Sequence, residues 1–488
     1  MNLNTIRFEN VWGTSQNIYD ICDREGVLAL VGWSCQWEWE VYTGKPNDRF
    51  GCISTEEDMD LIAESFRHQV LWLRNHPSII CWYGASDMLP RPALEQRYLD
   101  ILAEIDDRPY TVHAGSAKSA LSGPAGMKMW GPYEWQAPYY WYSEEAKGNA
   151  VGFNTEIGIG AQLPVYESLV KMIPEDQLWP VGDAYDFHCT TSRDALHDLN
   201  ELKTVIEKRH GGASDLEDFL RKAHFIDYEG TRAMIEAHRV NVPRSTGVIQ
   251  WMLNSAWPSL YWQMYDWYLV PVSSYWSVKK GCAPQQLIYN YGDKHVYAVN
   301  DEKEDMDLKA FMTVYGLDGN ILSDAKCDVE MAAGSSIKVF ETPELDKIGF
   351  VFLRLEDAKG NVVSRNEYCL AEVMDKHNWE KYRWWRTQIE SYADFTALND
   401  LTAAEVTAET VKTDNGLEVT LENRSSVVAF FIRMSLKDDA GNLVVPAFWS
   451  DNLVTLAPGE KLTFSCKADG GKTVEVSGWN VAEQTLAL

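Results

Sequence analysis

Apolar positions in residues 1–280 fall into short runs separated by longer amphipathic stretches. The runs are LNTIRFE (3–9), VLALVGW (27–33), SIICWYGA (78–85), PYTVHAG (109–115), MKMWGP (127–132), NAVGFNTE (149–156) and GVIQWMLN (247–254). Between them lie helical patterns such as SQNIYDICDREG (15–26) and EDMDLIAESFRHQVLWLRNHP (57–77). Strands alternating with helices predict a parallel sheet. Strands that end in polar or aromatic residues suggest a (β/α)8 TIM barrel, with a doubly wound sheet as the alternative that periodicity alone allows. Seven strands are visible and the first residues are already one of them, so the chain is expected to begin inside the barrel. The segment 157–246 is long for one connection. It holds helical patterns at 195–210 and 230–241 and is expected to cover the top of the barrel.

The texture changes after residue 280. Short alternating strands (HVYAVND, LKAFMTVYG, SIKVFE, GFVFLRLED) are separated by the turn signals LDGN (317–320) and AKGN (358–361). That is a β-sandwich pattern. A Trp-rich connector follows, HNWEKYRWWRTQIE (377–390), and then a second β block from about 398. The expected organisation is a multidomain α/β plus all-β chain. It has a catalytic barrel over 1–280, a β-sandwich over 281–376, the connector over 377–397 and a second β-sandwich over 398–488.

Composition narrows the partners. The chain has 488 residues, and 44 Lys plus Arg against 72 Asp plus Glu leave a net charge of −28. Phosphate binding needs a basic surface, so nucleic acid is not an expected partner. The 20 Trp and 23 Tyr suit carbohydrate, whose C–H faces are apolar, and equally suit a large core. No apolar run reaches the roughly 18 residues of a membrane span. The opening residues lack a basic start followed by an apolar core, so they do not read as a signal peptide. The nine cysteines form no CxxC pair and no ligand cluster has metal spacing, so neither metal nor cofactor is expected.

Active sites of parallel barrels lie at the C-terminal ends of strands. Asp87 follows the run IICWYGAS and Glu156 ends the run NAVGFNTE. Two carboxylates so placed are what a glycosidase needs: one protonates the leaving oxygen while the other attacks or activates water.

The residues around these acids resemble glycoside hydrolase family 2, and within it the exo-β-D-glucosaminidase branch. NTIRFE with IYDICDREGVLALVGWSC, HPSIICWYGASD, GFNTEIGIGAQLP and MLNSAWPSLYWQMYDWYLVPVSSYWSVKKGCAP resemble that branch's barrel from strand two onward. YADFTALNDL, VAFFIRMSL, FWSDNLVTLAPGE and VSGWN resemble its last immunoglobulin-like domain. The resemblance implies a barrel lacking its first strand, followed by two immunoglobulin-like sandwiches. It also implies amino-terminal domains, absent here, that pack on the barrel of the full-length enzyme, and it leans toward export of that enzyme. It makes Asp87 the general acid/base, Glu156 the nucleophile and Glu9 the carboxylate that binds a 2-ammonium group.

Most of the family has Asn-Glu where this chain has Ser86-Asp87. An Asn can bond a 2-hydroxyl, whereas an ammonium is a donor only and needs an acceptor. Trp33, Tyr133 and Trp257 sit at or just past strand ends and serve either as sugar platform or as core. Two departures touch the site. The branch usually has Trp-Glu-Cys-Cys where this chain has Trp33-Ser34-Cys35-Gln36, and Met88-Leu89 directly follow the acid. The implied activity is retaining, exo-acting release of β-D-glucosamine. A β-mannosidase, a β-galactosidase or an inactive carbohydrate-binding fragment are the alternatives.

Overall fold

Strands β1 (Thr5–Phe8), β2 (Leu28–Val31), β3 (Ile79–Tyr83) and β4 (Tyr110–Thr111) pair in sequence order, all parallel. β5 (Gly152–Ile157) pairs in parallel with β6 (Ser245–Gln250). The computed structural model describes residues 1–9, 15–32, 35–191 and 195–488. The run 127–132, predicted as a strand, contributes a single parallel bridge, Lys128 to Asn154. Gly131 turns to φ 62° and Pro132 has no N–H, so the ladder stops there.

The two-residue period of each strand divides its side chains. Leu30, Cys81, Tyr83 and Ala114 point to the barrel interior, with Met127, Met129, Phe153 and Ile249 against them. Ala29, Val31, Ile79 and Trp82 point outward to helices. Helix α1 (Asn17–Glu25) precedes β2, and helix α2 (Glu56–Leu73) starts where the Thr55 hydroxyl accepts the Asp58 N–H, with three acids in its first turn. It lays Met59, Ala63, Phe66, Val70 and Leu73 on the sheet at helical spacing. Helix α3 (Pro92–Ile105) begins on a proline, whose fixed φ suits a first turn, and adds Tyr98 and Leu102 to the same layer.

Within 157–246 the longest elements are α4 (Asn200–His210) and α5 (Leu216–Val240). α5 does not roof the barrel: it packs against β6, the exit helix α6 (Ser273–Gly281) and the first sandwich. Every residue from Phe225 to Val240 is buried. A helix enclosed on all sides must be apolar or fully paired. Its charges are paired accordingly. Glu229 accepts from Arg209, Glu236 from Asn366 and Tyr368, and Arg239 donates to Asp301 and Gln286.

The first sandwich sets the strands Ile321–Met331, Met306–Gly316, Ile348–Glu356 and Val362–Ala371 over Ser335–Glu341, His295–Asn300 and Gln285–Asn290. The second has two four-stranded sheets between Val406 and Ala487. The Trp-rich connector is a hairpin, Lys376–Tyr382 with Thr387–Ser391. No helix among the described residues is long and apolar enough to cross a membrane.

One buried cation ties three of these parts together. Arg209, at the end of α4, reaches Glu229 of α5 at 2.8 Å and Asp375, just before the hairpin, at 3.4 Å. Removing one member of a buried pair leaves an uncompensated charge. Arg209→Met is therefore expected to lower unfolding free energy by about 3–5 kcal/mol, read from urea denaturation.

Candidate active site

The site is assembled at the C-terminal ends of the barrel strands. On β1 the two-residue period puts Arg7 and Glu9 on one side of the chain, with Ile6 and Phe8 turned to the helices. The turn past β2 is drawn close to β1: Gly32 N–H donates to the Phe8 carbonyl at 2.6 Å. A Cβ at Gly32 would lie 2.2 Å from that oxygen, so only glycine allows the approach that fixes the backbone just before Glu9.

Arg7 is the hub. Its guanidinium donates to Glu156 Oε2 at 2.8 Å and to Ser86 Oγ at 2.7 Å. The Ser86 hydroxyl in turn donates a hydrogen bond to Glu9 Oε1 at 3.0 Å. Glu156, on β5, accepts a second bond at Oε1 from the Tyr133 hydroxyl at 2.7 Å. Asp87 follows Ser86 past the end of β3, and Trp39 Nε1 donates to its Oδ2 at 2.9 Å. The structure thus brings Glu9, Asp87, Tyr133 and Glu156 into one connected group.

Burial and crowding set the charges. Burial pushes the Glu156 carboxyl up from the usual carboxylate range, while Arg7 and the Tyr133 hydroxyl pull it down. Glu9 is pushed up to about 7, first by burial and then by the negative charge of Glu156, with Arg7 opposing. The Tyr133 phenol is raised well above its ordinary value by burial and by Glu156, so it stays a proton donor.

Trp33, with Ser34, lies outside the described residues. Trp257 stacks on His188 at 5.4 Å and meets Phe187 edge-on at 5.9 Å, and no contact among the described residues joins it to the carboxylates. The tryptophan adjoining the Glu156 strand is Trp251, the residue directly after β6. Its N–H donates to the Ile157 carbonyl at 2.8 Å, and a Cβ at Gly158 would lie 3.1 Å from its ring. Past β6, Trp262 bonds the Tyr133 carbonyl at 2.8 Å.

Sequence reasoning missed Arg7, Glu38, Trp39 and Trp251. For Arg7 the signal was available: it shares a strand face with Glu9. Trp251 was available from the strand-end rule. Glu38 and Trp39 lie in a turn whose position over the Ser86–Asp87 loop has no counterpart in local pattern.

The ligand-rich group Asp20, Asp23 and His76 lies at the opposite end of the barrel, before β3. Asp23 is already bonded to the His76 ring at 2.7 Å and to the Ser78 N–H at 2.9 Å, so the group reads as a structural clasp.

Residues 384–481 match the family described as "Exo-beta-D-glucosaminidase Ig-fold domain", and residues 292–375 match "Mannosidase Ig/CBM-like domain". All of the chain aligns with exo-β-D-glucosaminidases of Hypocrea jecorina and Amycolatopsis orientalis at 34% identity. It spans 58% and 50% of their lengths, respectively. The crystal structure of the A. orientalis exo-chitosanase CsxA superposes on the whole chain with a TM-score of 0.93 and 33% identity, over 60% of its own length. A β-D-mannosidase from Dictyoglomus thermophilum shares the fold, with a TM-score of 0.72 at 20% identity. The barrel, the two immunoglobulin-like sandwiches and full-chain identity above 30% make this chain similar over its whole length to exo-β-D-glucosaminidases.

Proposed function

We propose that the chain carries the catalytic centre of a retaining exo-β-D-glucosaminidase that releases non-reducing terminal β-D-glucosamine from amino-sugar oligosaccharides. The observation that carries this reading is the link from Glu9 through Ser86 and Arg7 to Glu156. It sets an anionic acceptor beside the attacking carboxylate, where the substituent on the neighbouring ring carbon must lie. A 2-ammonium fits an acceptor pair of a carboxylate and a hydroxyl oxygen. Relatives in the same branch support it: one CsxA structure is described as a complex with PNP-β-D-glucosamine.

In this reading Glu156 attacks the anomeric carbon and Asp87 donates its proton to the leaving oxygen. Arg7 and Tyr133 hold both Glu156 oxygens by hydrogen bonds, which orients the carboxylate and favours its charged form. The Trp39 N–H occupies Asp87 Oδ2, so the proton is carried on Oδ1. Esterification of Glu156 then removes a negative charge beside Asp87, and Asp87 takes a proton from the water that releases the sugar. The first step joins nucleophilic attack by Glu156 to proton donation by Asp87, and the second joins attack by water to proton removal by Asp87.

Three outcomes test this. p-Nitrophenyl β-D-glucosaminide is expected to be cleaved, with the β-D-mannoside and β-D-galactoside cleaved at least about 100-fold less efficiently. Preference for either 2-hydroxyl sugar would overturn the specificity and keep the mechanism. Glu156→Gln is expected to lower kcat by about 10⁴-fold or more, because no covalent intermediate can form. An unchanged rate would sink the assignment.

The third outcome is a pH dependence. Glu9 sits near 7, above the ordinary carboxylate value, so in the free site it is neutral below that pH and charged above it. An ammonium binds the charged form. The affinity for D-glucosamine is therefore expected to rise as pH rises toward about 7, and to fall again once the sugar's own ammonium loses its proton. Below that pH, binding should release a proton, as calorimetry in buffers of different ionisation enthalpy would read. Glu9→Gln should bind glucosamine weakly with no such pH dependence; equal affinity in Glu9→Gln would remove Glu9 from the reading.

A further inference from the structure

Glu38 closes the short 3-10 turn Cys35–Glu38 and is buried, yet no ion pair to it occurs among the described residues. An isolated buried carboxylate is costly unless its lone pairs are filled. Here three successive backbone N–H groups fill them. Ser86 N–H donates to Oε1 at 2.9 Å, Asp87 N–H to Oε2 at 2.8 Å, and Met88 N–H to the same Oε2. The next residue, Trp39, holds the Asp87 side chain itself. Gly51, at φ 79°, packs on the Glu38 backbone, where an added Cβ would lie 3.0 Å from its carbonyl oxygen. The turn is thereby held from behind while its carboxylate grips the loop in front.

We propose that Glu38 is the positioning residue for the proton donor: its carboxylate fixes the backbone of Ser86, Asp87 and Met88, so that Asp87 stays aimed at the leaving-group oxygen. The proposal rests on the reading of Asp87 as acid/base. Three consecutive N–H groups converging on the two oxygens of one buried carboxyl group fix the φ and ψ of a loop much as a nest fixes a bound group, with the acceptor supplied by the protein. The same grip serves Ser86, whose N–H points to Glu38 while its hydroxyl bridges Arg7 and Glu9. Glu38 thus sets the orientation of the acid and the spacing of the acceptor pair with one group. It acts on the reaction only through the loop it holds, chiefly through Asp87, with Ser86 as the second residue it steadies.

A role through the acid has a signature that a purely structural role lacks. Leaving groups that depart as stable anions need no proton, whereas a sugar alkoxide does. Glu38→Gln replaces one accepting oxygen by an NH2 donor that faces backbone N–H groups. Cleavage of a glucosamine disaccharide by this variant is expected to fall by about 100-fold or more, the size of a general-acid contribution. Formation of the glycosyl-enzyme from 2,4-dinitrophenyl β-D-glucosaminide, read as the burst of dinitrophenol, should fall little. Azide, a nucleophile that needs no general base, should then restore steady-state turnover of the aryl substrate and yield the glycosyl azide.

Equal losses on both substrates without azide rescue would overturn the proposal, as would an unchanged rate on the disaccharide. Glu38→Asp gives the same comparison if Glu38→Gln fails to fold, since it keeps the charge and shortens the reach. The wild-type enzyme is assayed first on glucosaminide, mannoside and galactoside. Activity on another sugar would move the comparison to that sugar's disaccharide and dinitrophenyl glycoside. The substrate reading and the Glu38 proposal therefore fail separately.

Discussion

Among the described residues the site is short of positive charge. Glu9, Asp87 and Glu156 crowd one barrel mouth, and the cation set directly among them is Arg7. One guanidinium cannot neutralise three carboxylates in a medium of low dielectric. The arrangement resolves this by unequal sharing. Glu156 has the direct 2.8 Å pair with Arg7 and a phenol besides, while Glu9 stands 3.9 Å from the guanidinium and is reached by hydrogen bond only through Ser86. Glu9 consequently titrates near neutrality. In the proposed reaction the missing cation is brought by the substrate: a 2-ammonium supplies the charge that the protein leaves out. A sugar with a 2-hydroxyl would enter without settling that imbalance, which is a physical basis for discrimination beyond shape.

Behind the site, the molecule depends on a helix with no solvent face. From Phe225 to Val240, α5 is enclosed by β6, α6 and the first sandwich. The charges on that stretch are satisfied by elements far apart in sequence, such as Asn366 and Tyr368 for Glu236 and Asp301 for Arg239. A buried polar network of this kind is worth keeping only when every member is paired. It therefore fixes register between the barrel and the first sandwich, a task that apolar packing alone performs with less specificity. Near β6 the same helix places His238 between Ser245 and Asn154, so the two strands nearest Glu156 are tied to it as well.

Much of this was legible in the sequence, and the reasons are specific. Short apolar runs mark β1, β2, β3 and β5 because strands covered by helices on one side and a core on the other are apolar on both faces. Asp87 and Glu156 stand out because acids rarely end such runs without a use. Arg7 was passed over although it alternates with Glu9, since a buried arginine in a strand reads as an exception until its partners are known. Glu38 was not accessible at all. Its meaning comes from three N–H groups 48 to 50 positions away, and no local period records such a meeting. Tryptophans show the complementary limit: nearness to a strand end in sequence pointed to Trp257, which stacks on His188, whereas Trp251, immediately after β6, is the one that adjoins the Glu156 strand. Within 157–246, helix α5 packs beside β6 and the first sandwich and does not cover the barrel top, for a related reason. Helical period announces a helix, but a helix with charges all round gives no sign of which neighbours will pair them.

The hairpin between the two sandwiches carries a consequence for how the site comes into being. At its turn the Trp385 carbonyl accepts the backbone N–H groups of both Tyr133 and Glu134, and the Trp384 ring packs edge-on against the Tyr133 ring at 5.4 Å. Tyr133 is the residue whose hydroxyl holds Glu156. During synthesis on the ribosome the barrel strands emerge long before this clasp, since 385 − 133 is 252 residues of chain. Domains fold largely in order of emergence. The nascent barrel can therefore form its sheet while the tyrosine that steadies Glu156 is still unanchored. The centre is completed only when the segment after the first sandwich folds back, so a growing chain is held short of a finished site until the Trp384–Trp385 turn has been made.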